Sequence, residues 1–169
     1  GCVCAVLIGL GCPVWLSVLV AFVAGALTGV LTGLLHTALG IPSILAGILT
    51  QLILYSVNLS TLGGKSLMAV DFRSNNLLLH MSDNIGAIIT LVLITAGVII
   101  GLWLFFYTEV GLTLKSTGDN PDMSRAQGVN VKLNKVIGLA IANGIVALAG
   151  ALLAQYKGSA NINDGRGAI

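Results

Sequence analysis

The sequence predicts an all-α fold, a polytopic transmembrane helical bundle, and three observations carry that prediction. The 169 residues are 56% hydrophobic and 8% charged, with a mean hydropathy of +1.00. Ordinary soluble domains carry about 25% charged residues, so this chain has too few to cover a soluble surface. The charges are also clustered: residues 13–36, 41–61 and 85–108 contain no Asp, Glu, Lys or Arg. Each of those stretches matches the ~20 mainly apolar residues that a helix needs to cross a hydrocarbon core of about 30 Å. A buried helix of a large soluble protein is the alternative for any one such stretch, but three in one short chain speak for a membrane.

The formal net charge of +2 and the lack of a basic stripe argue against nucleic acid as a partner. Cys2, Cys4 and Cys12 are odd in number and lie in an apolar stretch. Cys2 and Cys4, two apart on a helix, point to different faces. They read as small apolar residues, with no metal pair and no disulfide framework.

Residues 1–12 reach only about 18 Å as a helix, too short to cross a bilayer. With no basic leader they also fail as a signal peptide. The expectation is a truncated helix over 1–12, in a chain that is one piece of a longer protein. The next helix is expected over 13–36, with Pro13 suited to a first helical position and Trp15 to the headgroup level. It ends before Gly40-Ile41-Pro42. Within it Ala21, Gly25, Gly29 and Gly33 fall at intervals of four, a doubled GxxxG stripe that lets another helix backbone approach closely. Glycine is common in this chain, so chance is the competing explanation, but the unbroken register favours packing.

A shorter helix is expected over 43–57, carrying Gln51 in its middle, either as a steep crossing or as a partial span buried in protein. A long polar connection follows with Lys65, Asp71, Arg73, His80 and Asp83. Its 75–81 patch has the pattern of an interfacial segment. Asp83-Asn84 offers cap chemistry for a helix over 85–107, which closes with Trp103, Phe105, Phe106 and Tyr107, an aromatic group suited to a membrane boundary. A second polar connection spans 108–135. The last helix is expected over 136–156, where Ala140, Gly144, Ala147, Ala151 and Ala154 share one face suited to a bundle interior. Asn143 stands near its middle, and a bare amide there is costly, so a partner helix or a polar pathway is expected beside it. Gln51 and Asn143 are the two candidate pathway residues.

The 108–135 connection encodes a short helix with its own start and stop. Asn120 suits the N-cap, Pro121 the first helical position, Asp122 the positive end of the dipole, and Gly128 the C′ position. Met123, Ser124, Arg125, Ala126 and Gln127 lie between. Two turns are unstable alone in water, so a helix written this deliberately is expected to dock on something. Met123 with Ala126 or Gln127 makes a small apolar ridge, and Arg125 points elsewhere. Four basic residues in this connection (Lys115, Arg125, Lys132, Lys135) against two in each of the other polar segments weakly favour the cytoplasm for it under the positive-inside rule.

The run from Gly111 to Asn130 resembles the cytoplasmic coupling loop of ABC importer permeases, in the family that includes branched-chain amino acid and ribose-type permeases. The likeness continues through Gly138-Leu139-Ala140, through residues 147–156 and into the tail from Gly158 to Gly165. Upstream, Gly33-Leu34-Leu35-His36-Thr37 and Leu45-Ala46-Gly47-Ile48-Leu49 also look familial. The tryptophan/tyrosine-type permeases are the subgroup it looks most like. The resemblance covers nearly the whole chain and implies a single partial transmembrane domain over 1–169, in a multi-pass protein of the bacterial plasma membrane. It implies that Asp119, Asn120, Pro121, Asp122, Met123, Arg125, Ala126 and Gly128 couple the permease to an ATP-binding cassette subunit. It also implies a second permease copy as a homodimer, an extracytoplasmic substrate-binding protein, and amino acids or similar small polar solutes as cargo. No cofactor is expected on this chain, ATP and Mg belonging to the partner subunit.

Other signals are weaker. Gly64-Lys65-Ser66 imitates the end of a phosphate-binding loop, but Leu59 stands where the motif requires glycine. Residues 161–165 lack the acidic first position of a calcium loop. His36 and His80 are lone, no metal site is expected, and no carboxylate pair or Ser/His/Asp set lies in a span, so catalysis is not expected. A secondary transporter is the alternative function, but it places ionisable groups inside its spans, and these spans hold none. A membrane scaffold is the other alternative, and it leaves the capped helix unexplained.

Overall fold

In the computed structural model, residues 1–64, 66–69 and 84–162 are described. Lys65, Asp71, Arg73, His80 and Asp83, the 75–81 patch and the tail beyond residue 162 lie outside them. The elements in order are α1 (Cys2–Gly9), α2 (Val14–Thr37), α3 (Ser43–Thr61), β1 (Leu67–Ala69), α4 (Asn84–Phe106), α5 (Glu109–Asp119), α6 (Pro121–Ala126), α7 (Val131–Lys157) and β2 (Ser159–Asn161). Among the described residues α2, α3, α4 and α7 are long and apolar enough to cross a membrane.

Several boundaries differ from those the sequence suggests. Pro13 is the N-cap of α2 and not its first residue, because its ψ of 139 keeps it extended. α3 runs on from residue 57 to Thr61, since the Thr61 hydroxyl donates to the Val57 and Asn58 carbonyls at 3.1 and 2.9 Å and so satisfies itself within the helix. Its 19 residues reach about 28 Å, the length of a full crossing. α7 begins at Val131 rather than 136. Asn130 Oδ1 accepts from the Leu133 amide at 3.2 Å, Val131 and Asn134 are buried, and Lys132 and Lys135 stay exposed. Helical periodicity thus continues into polar sequence. The 108–135 connection is largely helical, and two short strands appear where none was foreseen.

α2 and α7 form the central pair and run antiparallel. A Cβ added at Gly25 would strike Ala147 Cβ and lie 2.8 Å from the Asn143 carbonyl oxygen. One at Gly29 would meet Leu139 O and, at 2.6 Å, Ala140 Cα, and one at Gly33 would sit 2.9 Å from Val136 Cα. From the other side, a Cβ at Gly144 would lie 2.9 Å from the Phe22 ring. Backbone meets backbone along this seam, which is how helices adhere where lipid gives no hydrophobic drive.

α1 packs against α2, α3 and α7. Cys2, Cys4, Ala5 and Ile8 join Val14, Val18, Ala21, Leu62, Ala151, Ala154, Ala160 and Ile162 in a cluster at one end of the bundle. Cys2, Cys4 and Cys12 form no disulfide. Gln155 is buried there, its Nε2 donating to Cys4 Sγ at 3.7 Å. At the same end β1 pairs antiparallel with β2, Met68 opposite Ala160. Because β1 follows α3 and β2 follows α7, both helices exit on one side, and α5 and α6 sit on the other.

Aromatic side chains mark both rims. Trp15 and Tyr156 are exposed at the sheet end, and Trp103 and Tyr107, rings 4.7 Å apart, at the other. α4 meets α5 at that end and otherwise turns Ile88, Ile89, Leu93, Ile99 and Ile100 outward, a surface suited to lipid or to further helices.

Candidate functional site

The end of the bundle opposite the strands is built by polar packing. α4 breaks at Tyr107, and Thr108 caps the next helix, its Oγ1 accepting from the Gly111 amide at 3.3 Å and donating to the Phe105 carbonyl at 2.6 Å. Gly111 is required by the sharp turn: a Cβ there would collide with the Phe105 carbonyl and lie 2.6 Å from Phe106 Cα. α5 then folds back along the start of α7, where Leu114 Cδ1 lies 3.0 Å from the Cβ that Gly138 lacks. The sequence reading missed α5, although Thr108 three residues before Gly111, with Glu109 in the first turn, has the pattern of a helix start.

α6 is bounded on both sides. Asn120 Oδ1 accepts from the amides of Asp122 and Met123 at 3.1 and 3.0 Å, and Pro121 holds the first position. At the other end Gly128 adopts φ +83. Its amide bonds to Arg125 O at 3.0 Å while that of Val129 bonds to Ser124 O at 3.1 Å, the paired bonds of a Schellman stop. Outward, Asp122, Met123, Arg125 and Ala126 are exposed, with Arg125 and Asp122 in a loose 3.4 Å ion pair. Asp119 and Asn120 stand exposed beside them. Only Ser124 is buried in α6. A small helix with both ends closed thus presents a polar and thioether face at the tip of the bundle.

Ser124 is also the inward anchor. Fully buried, its Oγ donates to Asn120 O at 3.0 Å and lies 2.8 Å from Ser116 Oγ on α5. One residue on, Thr117 Oγ1 donates to Thr113 O at 2.7 Å and accepts from Asn134 Nδ2 of α7 at 3.0 Å, both partners buried. Ser116, Thr117 and Asn134 were not singled out from sequence, and Ser124 was named only as a member of the short helix. Hydroxyls at 113, 116 and 117 become legible as one helix face only once α5 is known to be a helix.

The two pathway candidates come together. Gln51 of α3 and Asn143 of α7 line one cavity of about 470 Å³ between α2, α3 and α7, with Thr32, Thr50, Tyr55 and Asn58. Thr32 Oγ1 donates to Thr50 Oγ1 at 3.0 Å across the α2–α3 seam, and Asn143 Nδ2 donates to its own helix at Leu139 O, 2.9 Å away. The lining carries no charged side chain among the described residues. Ala140, Ala147 and Ala151 stand with Gly144 on the α7 side of the central seam, opposite Gly25, Gly29 and, nearer the sheet, Ala21.

Comparison with known proteins places this architecture. The chain is 37% identical over 156 residues to a tyrosine transport system permease protein of Clostridioides difficile, covering 90% of this chain and 50% of that protein. It is 31% identical over 151 residues to an uncharacterized protein of Rickettsia prowazekii, covering 89% and 53%. It is 28% identical over 159 residues to an autoinducer 2 import system permease protein of Salmonella paratyphi B, covering 92% and 45%. No solved structure gives a significant match. The chain spans about half the length of the curated relatives it matches. The family described as the permease component of the branched-chain amino acid transport system matches residues 1–169 from end to end, and this multi-pass membrane chain belongs to it.

Proposed function

We propose that the chain forms part of the membrane-spanning subunit of an ATP-binding cassette importer, moving a small polar solute while a separate subunit hydrolyses ATP. The observation that carries this is α6: six residues, closed by caps at both ends, anchored inward only through Ser124 and otherwise displayed at the tip. A peptide this short has no stability of its own, and its preformed exposed face suits insertion into a groove of a partner. That partner is the ATP-binding cassette subunit, with ATP and Mg held there. Closure of two such subunits presses on α6 and switches the bundle between its openings.

α6 then lies in the cytoplasm, and the strands lie on the side where an extracytoplasmic substrate-binding protein delivers solute. A second copy of the permease completes the assembly. The cavity between α2, α3 and α7 contributes to the pathway through Gln51 and Asn143. Its lining of amides, hydroxyls and a phenol suits hydrogen-bonding solutes. Tyrosine, in the name of one relative, and autoinducer 2, in that of another, are both small polar solutes, and an amino acid is the first candidate.

The test is Ala126→Glu in the full-length permease, assembled with its ATPase and binding protein in liposomes. A bulky charge on the seated face is expected to lower solute uptake per ATP hydrolysed at least about tenfold, within the range of coupling free energies between linked sites. Unchanged uptake per ATP refutes the coupling role.

A further inference from the structure

Force applied to α6 has to reach the membrane, and the chain connecting α6 to α7 is only four residues long, Gln127 to Asn130. Such a turn transmits little by itself, since it bends at Gly128. The stiff connection runs through side chains. Ser124 of α6 is fully buried against Ser116 of α5, Oγ to Oγ 2.8 Å. On the next residue of the same helix, Thr117 is gripped by Asn134 of α7 at 3.0 Å. Thr117 and Asn134 are 5% and 6% exposed, so water does not compete for this bond. Buried polar groups that lose their partner are penalised, which makes the linkage a hard stop rather than a loose contact. From Asn134, α7 continues without interruption to Leu139 and Asn143 in the cavity wall, about 14 Å further at 1.5 Å per residue.

We propose that Ser124, Ser116, Thr117 and Asn134 are positioning residues that clamp α6, α5 and the first turns of α7 into one rigid body. Displacement of α6 then reaches Asn143 undiminished. The clamp rests on the coupling role proposed for α6 and adds to it the route by which α6 acts. α5 is the intermediate because its two adjacent hydroxyls, Ser116 and Thr117, face different neighbours. The apolar contact of Leu114 with the bare backbone at Gly138 keeps α5 against α7 but is not directional. Only the hydrogen bonds fix its register.

The test uses the full-length assembly in liposomes and a set of variants read side by side. Thr117→Val removes the hydroxyl at nearly constant shape, and it is expected to leave ATP hydrolysis running while uptake per ATP falls at least about fivefold, the lower end of coupling energies between sites. Thr117→Ser keeps the hydroxyl and restores the wild-type ratio. Asn134→Ala combined with Thr117→Val is no worse than the single changes, because both break one linkage. Should Thr117→Val couple normally while Ala126→Glu uncouples, the clamp is refuted and the docking role of α6 stands. Should Ala126→Glu couple normally, the docking role itself is lost. A second measurement does not depend on activity or on yield. Spin labels at Met123→Cys and Leu133→Cys, both exposed positions, keep one distance with and without ATP if the unit is rigid. A change of that distance in the otherwise unaltered protein overturns the proposal.

Discussion

The middle and the start of α7 are held in opposite ways. Along its middle, α7 meets α2 through absent side chains: Gly25, Gly29 and Gly33 leave room for Asn143, Leu139, Ala140 and Val136. At its start it meets α5 through a buried amide and hydroxyl. The first contact is short-range and non-directional, the sum of many small dispersion terms. The second is directional. The bundle thus combines a close-packed apolar seam at its centre with a hydrogen-bonded polar contact at its tip.

Substitutions break or sharpen this contrast in a definite order. The largest effect is expected at the seam. Gly29→Leu forces a side chain into the Ala140 backbone and should destabilise the protein by about 3 kcal/mol, the upper end for overpacking. Folded protein recovered after detergent extraction, and its melting midpoint, measure this. Gly97→Ala on α4, where nothing lies within 4 Å, should lower neither, since alanine is the better helix former; a loss there would show that small residues matter irrespective of contact. Next comes the tip. Asn120→Ala removes the side-chain acceptor for two amides and should cost α6 about 1 kcal/mol. Hydrogen exchange at the Asp122 and Met123 amides should quicken about fivefold while exchange along α7 stays the same. The smallest effect belongs to the Asp122–Arg125 pair, which is exposed at both members and 3.4 Å long. Exposed pairs contribute little, so Asp122→Ala should leave the melting midpoint within measurement scatter.

What could be read from the chain alone follows the same division. The membrane spans are statements about composition and length, and α2, α3 and α4 have the bulk of their residues where the charge-free stretches put them. The stripe of small residues at intervals of four is a pattern within one helix. Its partner face on α7 carries its own small residues, so each half is visible without the other. Caps are equally local, and Asn120, Pro121 and Gly128 announce α6 within nine residues of sequence. The clamp is different. Ser116 and Ser124 meet because α6 turns back on α5, and Thr117 meets Asn134 because Gly111 folds α5 against α7. Those angles are set by backbone dihedrals at a few positions, and no periodicity records them. The strands escaped notice for a related reason: three residues each, they carry no alternation long enough to read, and their pairing joins segments far apart in the chain.

That long-range pairing has a consequence for biogenesis. β1 leaves the ribosome and reaches its side of the bilayer early, yet its partner exists only after α4, α5, α6 and α7 have all been made and α7 has crossed. Pairings between distant segments form slowly and late, and unpaired strand edges are liable to associate wrongly in the meantime. Pairing of β1 with β2 therefore cannot close before α7 has been threaded all the way through.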